Sequence, residues 1–122
     1  MTEGFSRAER VRKRSEYLRL QGQASARVRS RSFLLLLALR QEPGPSRLGV
    51  VASKKVGNAV ARNRAKRLLR EAFRRRKGLF GPGIEVVAIA FDALALSSLA
   101  QVLAELDNVA RDIARRLKHL QR

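Results

Sequence analysis

Residues 47–73 read RLGVVASKKVGNAVARNRAKRLLREAF. After Arg47, the apolar and glycine run to Ala52 suits a buried strand. Gly57 and Asn58 then punctuate the chain, since glycine tolerates φ > 0 and asparagine caps helix starts. From Ala59 the apolar spacing changes to that of a helix, predicted over 59–76. At 100° per residue, Ala61, Ala65, Leu68, Leu69 and Ala72 share one side, with Phe73 at its flank. Asn63, Lys66, Arg67, Arg70 and Arg74 gather opposite, with Arg62 and Arg64 at the flanks. The apolar side needs a sheet to pack on, which makes this strand-to-helix passage the seed of an α+β sandwich.

The flanking sequence supplies the sheet. Residues 33–39 (FLLLLAL) read as a strand, 41–46 (QEPGPS) as a turn and 84–91 (IEVVAIAF) as a central strand. The apolar run at 33–39 is far shorter than the ~20 residues of a spanning helix. Ser98 with Gln101 forms a capping-box pattern. One helix is expected to follow, with Leu99, Val102, Leu103, Leu106, Val109, Ala110, Ile113 and Leu117 as a single stripe. Upstream, Ser15 caps a short helix through Tyr17, Leu18 and Leu20 that Gly22 stops. A third short strand fits between Ala38 and Val51. The residues thus give one α+β domain over 1–122, ordered α-β-β-α-β-α with that third strand as an optional addition, a small sheet with helices packed on it. Residues 1–14 form a basic N-terminal arm.

Charge narrows the function. The 122 residues carry a formal net charge of +17, and +10 of it lies within 54–77, where Glu71 is the only acid. Ordinary helices alternate signs in i, i+4 pairs. This one repels itself, and an anionic partner would relieve that. Of the basic residues 21 are arginine, whose planar fork matches phosphate, although high genomic GC content has the same effect on composition. With no cysteine and one histidine, His119, thiolate zinc sites, a cysteine nucleophile and His-based triads are disfavoured. Glu105, Asp107 and Asp112 fall off the apolar stripe of the last helix and read as surface solubility. Charge and layering leave several classes open: an RNA-binding subunit, a ribosomal-type protein, a DNA-binding architectural protein or, less well, a nuclease or membrane-surface helix.

The motifs resolve these classes further. Ser53-Lys54-Lys55, Gly57-Asn58-Ala59-Val60, Arg62-Asn63-Arg64, Lys66-Arg67 and Arg70-Glu71-Ala72-Phe73 occur together in a fixed order. This stretch resembles the signature of the bacterial ribonuclease P protein subunit. The resemblance implies the order α-β-β-β-α-β-α with a small, mainly antiparallel sheet, as in ferredoxin-like and ribosomal-protein domains, and a left-handed β-α-β crossover, an exception to the usual hand. It also implies a protein that binds a large catalytic RNA and the 5′ leader of precursor tRNA while the RNA removes that leader. Mg²⁺ is then the cofactor, held mainly by RNA and substrate, and no catalytic residue is expected in the protein. The implied RNA-binding residues are Lys54, Lys55, Arg62, Asn63, Arg64, Lys66, Arg67 and Arg70.

The resemblance further implies a leader-binding cleft at Tyr17, Phe33, Leu36 and Ser53. This chain departs from the family aromatics at Gln21 and Leu36, and it carries Phe91 where a basic residue is common. Tyr17 fits a helix residue at a core edge equally well, and Phe33 fits plain core. The expected partners are ribonuclease P RNA and precursor tRNA, with no membrane and no obligate protein partner. In the absence of an export signal, the expected compartment is the cytoplasm.

Overall fold

The computed structural model describes residues 26–121. Its sheet has four strands: β1 (Ala26–Arg29), β2 (Phe33–Leu39), β3 (Arg47–Ala52) and β4 (Ile84–Ala90), in spatial order β1-β2-β4-β3. β2 pairs antiparallel with both β1 and β4, and β3 pairs parallel with β4. A parallel pair needs a crossover. Here it is α1 (Ala59–Arg75), followed after β4 by α2 (Leu99–Asn108) and α3 (Ala110–Leu120). This is the β-α-β unit whose crossover the resemblance addresses. The expected first helix and Tyr17 lie outside the described residues.

β2 and β4 are near-continuous apolar runs because both of their faces are covered. Phe33, Leu35 and Leu37 of β2 join Ile84, Val86, Ala88 and Ala90 of β4 on the face that receives the helices. Into that face α1 sends Ala65, Leu69, Ala72 and Phe73, and α2 and α3 send Val102, Leu106, Ile113 and Leu117. The Phe73 and Phe80 rings stack with centroids 5.4 Å apart. The odd-step residues Leu36, Ala38 and Val87 form a separate cluster on the opposite face, joined by Leu34, Val51 and Ile89.

Three expectations change. No strand forms between β2 and β3, where the turn contains Pro43 and Pro45, neither of which has an N–H for a ladder. The additional strand is β1, whose ARVR buries Ala26 and Val28 and turns Arg27 and Arg29 outward. The last helix is interrupted at Val109 (φ −99°, ψ 7°), whose N–H is shared between the Glu105 and Leu106 carbonyls at 3.2 Å each. Its apolar stripe survives the break, with Leu106 and Ile113 both fully buried.

Glu105 is not a solubility residue. Its Oε1 accepts the Ser30 hydroxyl at 2.6 Å and the Ser32 N–H at 2.9 Å, and its Oε2 accepts the Ser32 hydroxyl at 2.6 Å. This carboxylate ties α2 to the β1–β2 turn. Partial burial pushes its pKa up, but the Ser30 and Ser32 donors, helped by the Arg31 charge, pull it net below the usual value. A carboxyl held lower in the folded state stabilises the fold above its unfolded pKa and loses that contribution as pH falls through the folded one. Glu105→Ala should therefore cost about 1–3 kcal/mol at pH 7. The gap to the unsubstituted chain should close below about pH 4, near the ordinary glutamate pKa, in urea titrations across pH.

Candidate nucleic-acid interface

β3 ends at Ala52, and Ser53 opens a turn of 3₁₀ helix at Lys54–Val56, its hydroxyl accepting the Lys55 N–H at 3.3 Å. Gly57 follows with φ 142°, and a Cβ there would meet the Ala61 Cβ at 2.9 Å. A side chain at this position would be strained and obstructed at once. Asn58 caps α1, its Oδ1 accepting the Ala61 N–H at 2.9 Å. The backbone thus turns from strand into helix within six residues, with Lys54 and Lys55 exposed at the helix N-terminal end. Free N–H groups and the helix dipole favour anions at that end.

Along α1, Asn63, Arg64, Arg67 and Arg70 are exposed, while Arg62 and Lys66 are half-buried. The Arg62 Nε is enclosed without a hydrogen-bond partner. The cations are compensated unevenly. Glu71 binds both Arg74 and Arg75, the latter at 2.9 Å, and these partners, Arg74 foremost, hold its carboxyl down at about 2. Arg76 reaches Asp107 through two bonds of 2.8 and 3.2 Å. Among the described residues no carboxylate pairs with Lys54, Lys55, Arg62, Lys66 or Arg67. The acidic partners therefore offset part of the charge at the C-terminal end of α1 and leave the N-terminal half an uncompensated cationic row at about one-turn spacing.

Arg64 stands apart from that row. Its guanidinium donates to the Ala95 carbonyl at 2.7 Å and to the Ser97 carbonyl at 3.0 Å, fastening α1 to the 3₁₀ turn at Asp92–Leu96. Sequence order hides this contact, because the acceptors are backbone atoms beyond the next strand.

Of the three cleft residues that are described, Phe33 parts from Leu36 and Ser53. Phe33 is fully buried in the main core, and Leu36, 1% exposed, lies on the opposite face of β2. They are three residues apart, and an odd separation along a strand reverses the face. That count was available from the sequence. Ser53 is exposed and continues the alternation of Gly49 and Val51, which puts it on the Leu36 side. Arg29 lies 4.9 Å from the centre of the Phe91 ring, at the same end of the sheet. Its outward position on β1 makes the contact, and the sequence offered no sign of it because β1 was not legible.

The described residues contain no group of three or more His, Asp and Glu side chains that could hold a metal ion. No helix among them is long and apolar enough to cross a membrane. Arg64→Ala should cost about 1–3 kcal/mol in urea unfolding, since two charged hydrogen bonds are lost. Arg67→Ala, which removes no partner among the described residues, should stay within about 0.5 kcal/mol of the unsubstituted chain.

The family model for ribonuclease P matches residues 5–114. The ribonuclease P protein component of Geobacter sp. (strain M21) is 46% identical over 76 residues, which span 62% of this chain and 64% of that one. The corresponding protein of Syntrophus aciditrophicus (strain SB) is 39% identical over 102 residues, 84% of each chain. The solved RNase P protein of Staphylococcus aureus superposes with a TM-score of 0.74 at 30% identity, covering 86% of this chain and 94% of that one. That of Thermotoga maritima gives 0.72 at 30% identity, covering 85% and 96%. The fold, the signature stretch and these likenesses agree: the chain belongs to the ribonuclease P protein family, whose known role is RNA binding and tRNA 5′ processing.

Proposed function

We propose that this chain serves ribonuclease P by docking the catalytic RNA on the N-terminal half of α1 and by holding the 5′ leader of precursor tRNA beside it. The observation that carries this reading is the unpaired cation row. Lys54, Lys55, Arg62, Lys66 and Arg67, with Asn63 as a neutral donor, present charge that no carboxylate within the described residues offsets. Phosphate contacts of this kind position an RNA and make its affinity salt-dependent. Arg70 lies on the same side of the helix and adds a further, already partnered, cation to the interface. Arg64 contributes mainly by fixing the turn that flanks it.

The side chains here do not fit Mg²⁺. The interface is cationic, and the described acids are spread among Arg47, Arg74, Arg75, Arg76, Arg115, Arg116 and the serines at Glu105. Glu42 and Asp92, the two other described acids, belong to no cluster of three that could hold a metal ion. In this reading Mg²⁺ is held by the RNA and its substrate, and the protein lowers the repulsion between two polyanions. A complex that matures tRNA works in the cytoplasm and needs no membrane and no obligate protein partner.

The leader runs along the face that carries Leu36, Ser53 and Phe91, with Tyr17 contributing from the N-terminal region. Phe33 is left to the core. Stacking on an aromatic is worth about 1–3 kcal/mol per base and tolerates any sequence. Leader-length dependence probes this part alone. Tyr17→Ala should weaken binding of precursors with long leaders more than that of leaderless ones, and equal losses would remove Tyr17 from the cleft.

Reconstitution tests the main proposal. The protein, its cognate ribonuclease P RNA and a precursor tRNA are mixed at low Mg²⁺, and leader release is followed with each component also alone. Cleavage should require RNA and protein together. RNA binding without any effect on cleavage would favour a ribosomal-type binding protein. Arg67→Glu should reduce affinity for the catalytic RNA about tenfold or more and lower the slope of log affinity against log salt by about 1.

A further inference from the structure

A second concavity begins where Arg64 fastens the turn. It holds about 310 Å³ and is lined by Arg31, Ser32, Leu96, Ser97, Gln101 and Glu105, among others. That volume lies at the lower end of the ~300–1,000 Å³ of ligand pockets and suits one compact group. Its walls differ in character. Leu96 is 90% exposed, an apolar side chain with nothing described over it. Arg31 is an exposed cation at the rim. Gln101 turns its Oε1 to the Ser98 N–H at 2.8 Å, which leaves its amide NH₂ outward. On the inner side sits the Glu105 carboxylate. A carboxylate offers about four lone-pair sites, and three are filled by Ser30 and Ser32.

This arrangement sorts a ligand by its parts. The carboxylate repels a phosphate, so a phosphate stays at Arg31. The one acceptor site left on Glu105 asks for a neutral donor. The exocyclic amino groups of adenine, cytosine and guanine are such donors, whereas the N3–H of uracil lies between two carbonyl oxygens that a carboxylate repels. A base is also flat and apolar on its face, as Leu96 requires. The pocket adjoins the turn from which the cation row starts. Arg64 holds the carbonyls on either side of Leu96, and the Lys54–Val56 turn packs against the Asp92–Leu96 turn.

We infer that this pocket takes one unpaired nucleotide of the partner RNA, its phosphate on Arg31 and an amino-bearing base between Leu96 and Glu105. The inference rests on the RNA-binding reading above and adds a point of base preference to it. An unpaired base is the form of RNA that a protein can read on its edge.

The test uses the full chain with labelled leucine methyls, side-chain amides and arginine guanidinium groups, titrated by NMR with AMP, UMP and ribose 5-phosphate. AMP should shift the Leu96 methyls and the Gln101 amide saturably. UMP should bind several-fold more weakly, and ribose 5-phosphate should move Arg31 and leave Leu96 unmoved. Leu96→Ala, at a surface position that does not support the fold, should weaken AMP about 3–10-fold. It should also lower affinity for the catalytic RNA without changing the salt slope, since no charge is removed. Equal shifts from all three probes, or AMP binding untouched by Leu96→Ala, would overturn the inference and leave a phosphate-attracting surface only. Wild-type reconstitution separates the two levels. Cleavage with no AMP response at Leu96 removes the pocket alone, whereas failure of reconstitution removes the ribonuclease P reading whatever AMP does.

Discussion

β3 and β4 lie side by side and run the same way, so the chain must travel back the length of the sheet between them. The connection is α1, and this forces its N-terminus to the end of the sheet where both strands finish. Everything suited to an anion then arrives at one place. The helix start, Lys54 and Lys55 follow β3, Phe91 follows β4, and β1, antiparallel to β2, brings Arg29 and Arg31 to the same end of the sheet. Ligands of open sheets collect at such carboxyl ends for the same reason. The interface is thus a consequence of strand direction before it is a consequence of any one side chain.

Acidic residues shape this interface from a distance. Glu71 and Asp107 take up the arginines at the C-terminal end of α1, and Glu105 fixes the β1–β2 turn that carries Arg31. Exposed ion pairs of this sort add little stability. Their larger effect is to decide which cations remain available. A helix with the same arginines and no acids would be basic along its whole length and would offer RNA no preferred register.

The sequence was most readable where one segment carries its own pattern. The two sides of α1, the Asn58 cap, the capping box at Ser98 and the apolar runs of β2 and β4 all follow from spacing within a few residues. β1 escaped because four residues with two arginines show no pattern until β2 supplies the register. The break at Val109 escaped because the apolar stripe runs straight through it. Arg64 looked like one more phosphate contact, and Glu105 like one more soluble acid. Each is defined by a partner more than thirty residues away in the chain, beyond the reach of local spacing. Phe33 and Leu36 differ in kind, since counting along the strand separates their faces.

The uneven compensation along α1 has an effect at a distance. Positive charge that is denser along the N-terminal half of α1 than along its partly compensated C-terminal half gives the described residues an electrical moment as well as a net charge. In the field of a folded RNA such a body is turned as it is drawn in, before any contact forms, within the roughly 8 Å over which charges act at physiological salt. Encounters then begin with the β3–β4 end leading, and fewer collisions are spent on the wrong face.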